Sequence, residues 1–154
     1  KKKLPLCEIC PVSKDCLALK TNLVDSLPVK RKIKIKTTKH VHWLVPYSPK
    51  GRFLLQKRLK KGLWEGLWVF IEKEKEEMLK KECKSKFQIK DPSLIRIKKV
   101  KHSFSHFNLE AFPYLVKIKE NKSIKNTVWV DSKNIESLGI PSPVKKTIKE
   151  IRVP

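Results

Sequence analysis

No apolar run in this sequence approaches the roughly 20 residues that a membrane-spanning helix requires. The longest, such as Val41 to Tyr47, fall far short, so a transmembrane helix is excluded and no membrane partner is expected. The first residues, Lys1-Lys2-Lys3-Leu4-Pro5, contain neither an initiator methionine nor an apolar signal core. The chain therefore reads as cut from something longer. Acidic residues are scarce: 15 against 37 lysines and arginines, a formal charge of +22. Arginine is scarce too, with only Arg31, Arg52, Arg58, Arg96 and Arg152, so the positive charge is mostly lysine. Internal repeats are absent, and so is low complexity beyond the lysine bias.

What is present supports one main core. The chain has 154 residues, 40% of them hydrophobic and 34% charged, enough apolar surface to fold and too much for wholesale disorder. A polycation of this kind favours a polyanionic partner, most often nucleic acid, because each neutralised phosphate releases condensed counterions. Charge alone does not decide the matter, since a lysine-rich organism would give every protein the same bias.

The cysteines are unevenly placed. Cys7, Cys10 and Cys16 follow a C-x2-C-x5-C spacing, whereas Cys83 stands alone in a charged segment. Three clustered thiols suit soft-ligand chemistry, zinc or an iron–sulfur cluster, but remain one ligand short of four; chance clustering of free thiols is the plain alternative. Cys83, between Glu82 and Lys84, is expected at an exposed helix position and incidental.

Pattern along the chain predicts an α+β domain with three parts: a cysteine segment over 1–20, a basic linker over 21–37 and the main domain over 38–154. Strands are expected over Thr38–Tyr47 and Arg52–Leu59, joined by a turn as a hairpin, and over Leu67–Glu72, Leu94–Lys101, Leu109–Lys119 and Thr127–Val130. Glu74–Lys86 predicts a surface helix, with acids early and lysines late as the macrodipole prefers. A final helix begins at Ser142, with Val144, Ile148 and Ile151 on one face.

Three stretches, in order, resemble the C-terminal part of the A/G-specific adenine DNA glycosylases, the MutY family. LPLCEICPVSKDCLA at 4–18 is similar to the end of that family's iron–sulfur loop, C-x6-C-x2-C-x5-C. Phe53–Leu59 and GLWEGLWVF at 62–70 resemble its LLxxRP strand and GLWxGLWEFP signature, with Ile71 in place of the proline. VKHSFSHFNLE at 100–110 resembles its H-x-F-[ST]-H-F loop.

The resemblance implies a Nudix-like mixed sheet flanked by helices. It implies that Cys7, Cys10 and Cys16 are ligands two to four of a 4Fe–4S cluster in the parent, the first falling immediately ahead of Lys1, so an intact cluster is not expected in this chain. It also implies that Phe104, Ser105 and His106 recognise 8-oxoguanine opposite adenine in double-stranded DNA, while a helical N-terminal domain excises the adenine. Oxidation turns guanine N7 from an acceptor into a donor and adds a carbonyl at C8, and a hydroxyl, which donates and accepts, reads both changes. Phosphate contacts are expected from Lys30, Arg31, Lys32, Lys34, Lys36 and Lys101, and the setting is the cytoplasm, on the nucleoid if the source is bacterial.

Two other functions are compatible with parts of the sequence. One is a general basic nucleic-acid module with a zinc site at the cysteines. The other is a Nudix hydrolase, whose motif G-x5-E-x7-R-E-U-x-E-E-x-G would require Lys80 to Ser85 to supply the final glutamates. None of the three is matched, so no magnesium site is expected. Glu72, Glu74, Glu76, Glu77 and Glu82 are read instead as a solvated helix face. No acid in this chain matches a glycosylase motif, so the chain alone is not expected to be the seat of excision.

Overall fold

The computed structural model describes residues 5–29, 35–120 and 124–151. Lys30, Arg31, Lys32 and Lys34, four of the expected phosphate contacts, lie outside the described residues. The chain divides into two compact units, Lys1–Ile35 and Lys36–Pro154.

The first unit is built from turns. A single 3-10 turn, Ser13–Asp15, leads through Cys16 into a one-turn helix, α1 (Leu17–Lys20), whose end is tied by the Thr21 hydroxyl donating to the Leu17 carbonyl at 2.7 Å. None of its described residues is buried, and Leu6, Ile9, Val12 and Leu17 stand exposed.

The second unit is a mixed sheet between two helices. Its strands are β1 (Thr37–Tyr47), β2 (Phe53–Lys57), β3 (Trp68–Val69), β4 (Ile71–Lys73), β5 (Ile95–Arg96), β6 (Val100–Ser103), β7 (Phe107–Lys117) and β8 (Thr127–Val130), with helices α2 (Glu77–Phe87) and α3 (Ser142–Glu150). The long strands β1 and β7 run parallel through eleven pairs, from Thr37↔Phe107 to Tyr47↔Lys117. A parallel centre must be covered on both faces, and Trp43 to Tyr47 are accordingly all buried.

Period-two alternation sorts these residues into two cores. Trp43, Val45, Leu109, Ala111 and Leu115 face one side, beneath Val144 and Ile148 of α3. Leu44, Leu54, Ile71, Tyr114 and Val116 face the other, beneath Leu79 and Cys83 of α2.

Cys83 is thus a correction: it is fully buried, not exposed, and burial first, then Glu82, pushes its thiol up to about 11. The charged neighbours misled because α2 is a one-sided helix, and position 83 repeats position 79 one turn on.

Two expected strands are broken. Leu67–Glu72 splits at Phe70, so that β3 pairs with β2 while β4 pairs with β1, and β1 and β2 pair directly only at Tyr47↔Phe53, next to their turn. Leu94–Lys101 splits as well: the β5 and β6 registers differ by one residue, leaving Lys98 and Lys99 opposite Phe112. Pro113 is the cause. Its carbonyl accepts from the Ile97 amide at 3.1 Å, so its ring nitrogen, which has no hydrogen to give, faces this same edge.

Candidate nucleic-acid interface

The segment expected to interrupt two strands is the tip of a hairpin. Ser103 pairs with Asn108, and the Phe104 amide donates to the Phe107 carbonyl at 2.9 Å, leaving Ser105 and His106 as a two-residue turn, both exposed. Phe104 points the other way. Its ring lies 4.7 Å from Phe107, nearly parallel, 4.5 Å from His102 edge-on, and 5.7 Å from Trp64. Trp64 is in turn 6.3 Å from Trp43, which contacts Phe70 at 5.7 Å. An aromatic chain therefore runs from the core to the turn, with offset and tilted geometries that add to simple burial.

This chain joins two motifs some forty residues apart. Trp64 sits in the Gly62–Gly66 loop with φ of +60°, a left-handed conformation uncommon for a bulky residue, flanked by Gly62 and Gly66, also at positive φ. The loop is closed by the Gly66 amide donating to the Arg58 carbonyl at 2.8 Å and the Arg58 amide donating to Leu67 at 2.9 Å. Phe104 is consequently an anchor of the turn, and Ser105 and His106 are the groups it presents.

The cations around the turn are largely committed. Lys36 Nζ donates to the Phe104 carbonyl at 2.7 Å and to Ser103 Oγ at 3.1 Å, and the Lys39 ammonium stands 4.6 Å over the Phe107 ring. Glu110 gathers Lys99 at 3.0 Å, Lys101 at 3.3 Å and His40 at 3.6 Å, and its carboxyl is held below the usual range, first by the hydrogen bond from Lys99. Of the two expected phosphate contacts that are described, Lys36 fastens the turn and Lys101 is exposed but shared with Glu110. The role of Lys36 had no signal in the sequence, since its acceptor is a backbone carbonyl.

The expected solvated face is only partly formed: Glu74, Glu76 and Glu77 are exposed, whereas Glu72 and Glu82 are half-buried and paired, which corrects the expectation for those two. Glu72 lies on β4, where Oε1 accepts from both terminal nitrogens of Arg58 at 3.3 Å and Oε2 from Trp43 Nε1 at 3.4 Å. Glu82 holds Lys73 at 2.6 Å and Lys86 at 3.8 Å, and Glu76 accepts from the Tyr114 hydroxyl at 2.6 Å. Glu72 and Glu82 thus already neutralise protein cations, and Glu76 is engaged by a neutral hydroxyl. Among the described residues no group of three His, Cys, Asp or Glu is placed to hold a metal ion, the three cysteines included. No chemistry is routed through a cluster at Cys7, Cys10 and Cys16.

The sequence profile of the NUDIX domain matches residues 42–150, and the chain belongs to that family. The expected Nudix-like mixed sheet is the one observed. Over 96% of its length the chain is 32% identical to an adenine DNA glycosylase of Buchnera aphidicola subsp. Schizaphis graminum, and 29% identical to that of subsp. Acyrthosiphon pisum. It spans 43% of the length of each, and the resemblance is to the C-terminal part of such proteins. Similar folds include the C-terminal domain of mouse MUTYH, solved with human PCNA (TM-score 0.52, 18% identity, covering 71% of this chain and 84% of that one). Another is a MutT protein of Methanosarcina mazei (TM-score 0.55, 16% identity, covering 76% and 94%). No helix among the described residues is long and apolar enough to cross a membrane.

Proposed function

We propose that this chain is the lesion-reading part of an adenine DNA glycosylase acting in base excision repair, meeting 8-oxoguanine opposite adenine while a separate helical domain removes the adenine. The observation that carries the reading is the turn: Ser105 and His106 are exposed at the tip of a hairpin whose base is locked by Phe104 against Trp64 and by Lys36 on the Phe104 carbonyl. A reader of one altered base edge must hold its hydroxyl still, and this turn is held from both sides. Ser105 Oγ accepts from the N7 hydrogen of the lesion or donates to its C8 oxygen, where ordinary guanine offers neither group. His106 contacts phosphate or supports the turn. The exposed Lys101 and the lysines of 30–34, which lie outside the described residues, supply the salt-dependent part of DNA binding. The setting in this reading is the cytoplasm or nucleoid.

The test is duplex binding with 8-oxoguanine or guanine opposite adenine, at two salt concentrations, for the wild type and Ser105→Ala. A hydrogen bond worth about 1–1.5 kcal/mol corresponds to roughly tenfold, so the wild type should prefer the lesion by about that factor and the variant should lose it. Equal, steeply salt-dependent binding of both duplexes, unchanged by the substitution, would sink the reading and leave an electrostatic binder.

A further inference from the structure

Helix α2 does not cover the whole of its face of the sheet. It stops at Phe87, and Gln88, left-handed at φ of +58°, turns the chain so that the Ile89 amide donates to the Cys83 carbonyl at 3.2 Å. Between this helix end, the end of β7 and strand β8 lies an open groove of about 1260 Å³. Its lining is mostly apolar. Leu54 and Ile118 belong to the buried core, and Phe87, Ile89, Ile124 and Trp129 pack against that core while only half-buried themselves. Trp129 pairs with Leu54 across β8 and β2, which sets both on this face. Ile124 is held by Thr127, whose amide and hydroxyl both donate to the Ile124 carbonyl, at 3.2 and 2.7 Å.

The rim carries charge of one sign. Lys117 and Lys119 line the groove, and Lys84 and Lys90 line a smaller hollow that shares Gln88 and Ile89 with it. All four lysines are exposed and make no ion pair among the described residues. Lys86, also at the groove, is already bound to Glu82 and Gln56. No aspartate or glutamate lines either space.

Floor and rim select different features of a partner. An open groove larger than the roughly 300–1,000 Å³ of small-molecule sites suits a segment of chain. A nucleic-acid backbone would use the lysines and leave the apolar floor uncovered. A second copy of this chain, at +22, would set like charges against the rim. What matches both is a protein segment whose large apolar side chains are flanked by carboxylates. We propose that this groove docks an acidic peptide segment of a partner protein, with its apolar side chains seated on Ile89, Ile124 and Trp129 and its carboxylates on Lys117 and Lys119. The reading of the Ser105 turn uses none of these residues, so the two stand or fall separately.

The experiment is fluorescence anisotropy of a labelled peptide, DDEFDDLLEDD, titrated with the chain, and amide NMR shifts to locate it. A second peptide, with serine in place of the phenylalanine and both leucines, keeps the charge and removes the anchors. The first should bind more tightly than the second by about tenfold or more, and should shift amides of 87–89, 117–119 and 127–129. Reversing the rim with Lys117→Glu and Lys119→Glu should weaken it by roughly fivefold or more, and an equal charge change at Lys61→Glu and Lys146→Glu by less than about twofold. All four of these lysines are exposed, so both variants should keep the fold. Ile89→Ala, which trims a half-buried wall, should weaken the first peptide and leave the second unchanged. Equal binding of the two peptides, shifts elsewhere or equal loss in both lysine variants would overturn the proposal. So would the same amide shifts produced by a short undamaged duplex, which would give the groove to nucleic acid.

Discussion

The Ser105 turn and a cleft between β2, β4 and α2 are both rich in lysine, yet they are built in opposite ways. At the turn, cations serve the protein: Lys36 fastens a carbonyl, Lys39 covers a ring, and Lys99 and Lys101 share Glu110, while the framework is aromatic. In that cleft the framework is ionic, Arg58 on Glu72 and Lys73 on Glu82, while Lys57 stands 5.8 Å over the Trp68 ring and Lys60 and Lys125 make no ion pair among the described residues. Positive charge by itself therefore says little about which residues meet a ligand. The informative quantity is what each charge is already bonded to.

The largest expected effect lies on the aromatic side. Trp64→Ala removes the ring joining Trp43 to Phe104. Full burial would place such a truncation at about 3–5 kcal/mol, and a half-buried ring at roughly 2–3. Urea unfolding should show that loss, with little dependence on salt. A double cycle with Phe104→Ala should return about 0.5–1.5 kcal/mol of coupling beyond burial. Coupling near zero would mean that the two motifs touch without supporting one another.

A smaller effect is expected from the ionic framework. Glu72→Ala strands the Arg58 guanidinium and the Trp43 indole nitrogen. Breaking a fully buried pair costs about 3–5 kcal/mol, but these side chains are 19% and 24% exposed, and solvent screening reduces the expected loss to about 1–2 kcal/mol. Raising the salt should shrink the difference between variant and wild type. A loss that equals that of Trp64→Ala and ignores salt would erase the distinction between the two regions.

Much of this fold was legible from pattern, and the misreadings have local causes. Alternation located β1, β7 and β8, and the amphipathic end gave α3, because these elements bury one face each in regular register. The broken edge at Lys98–Lys99 was hidden because its cause, Pro113, lies on a different strand. Cys83 was misplaced because adjacent charges describe the outer face of α2 and say nothing of its inner one. The turn itself was found from its motif, but the sequence could not show that Phe104 faces inward, since that depends on Trp64 in a loop distant along the chain. Native-state thiol labelling checks the correction: Cys7, Cys10 and Cys16 should react quickly, and Cys83 only as the domain unfolds.

The smallest stability effect, and the sharpest test of the comparison, is Lys36→Met. The ammonium makes two hydrogen bonds at an exposed site, so its loss should cost no more than about 1 kcal/mol. If Lys36 were an ordinary phosphate contact, the variant would weaken binding to damaged and undamaged duplexes alike and flatten the salt slope by about one. As a fastening of the turn it should act differently. The ratio of affinities for the two duplexes should fall, the salt slope should hold, and the amides of Ser105 to Phe107 should exchange faster with solvent. Lys36→Arg, which keeps the charge but replaces a compact ammonium with a planar fork, should likewise leave the salt slope unchanged and restore the ratio only in part.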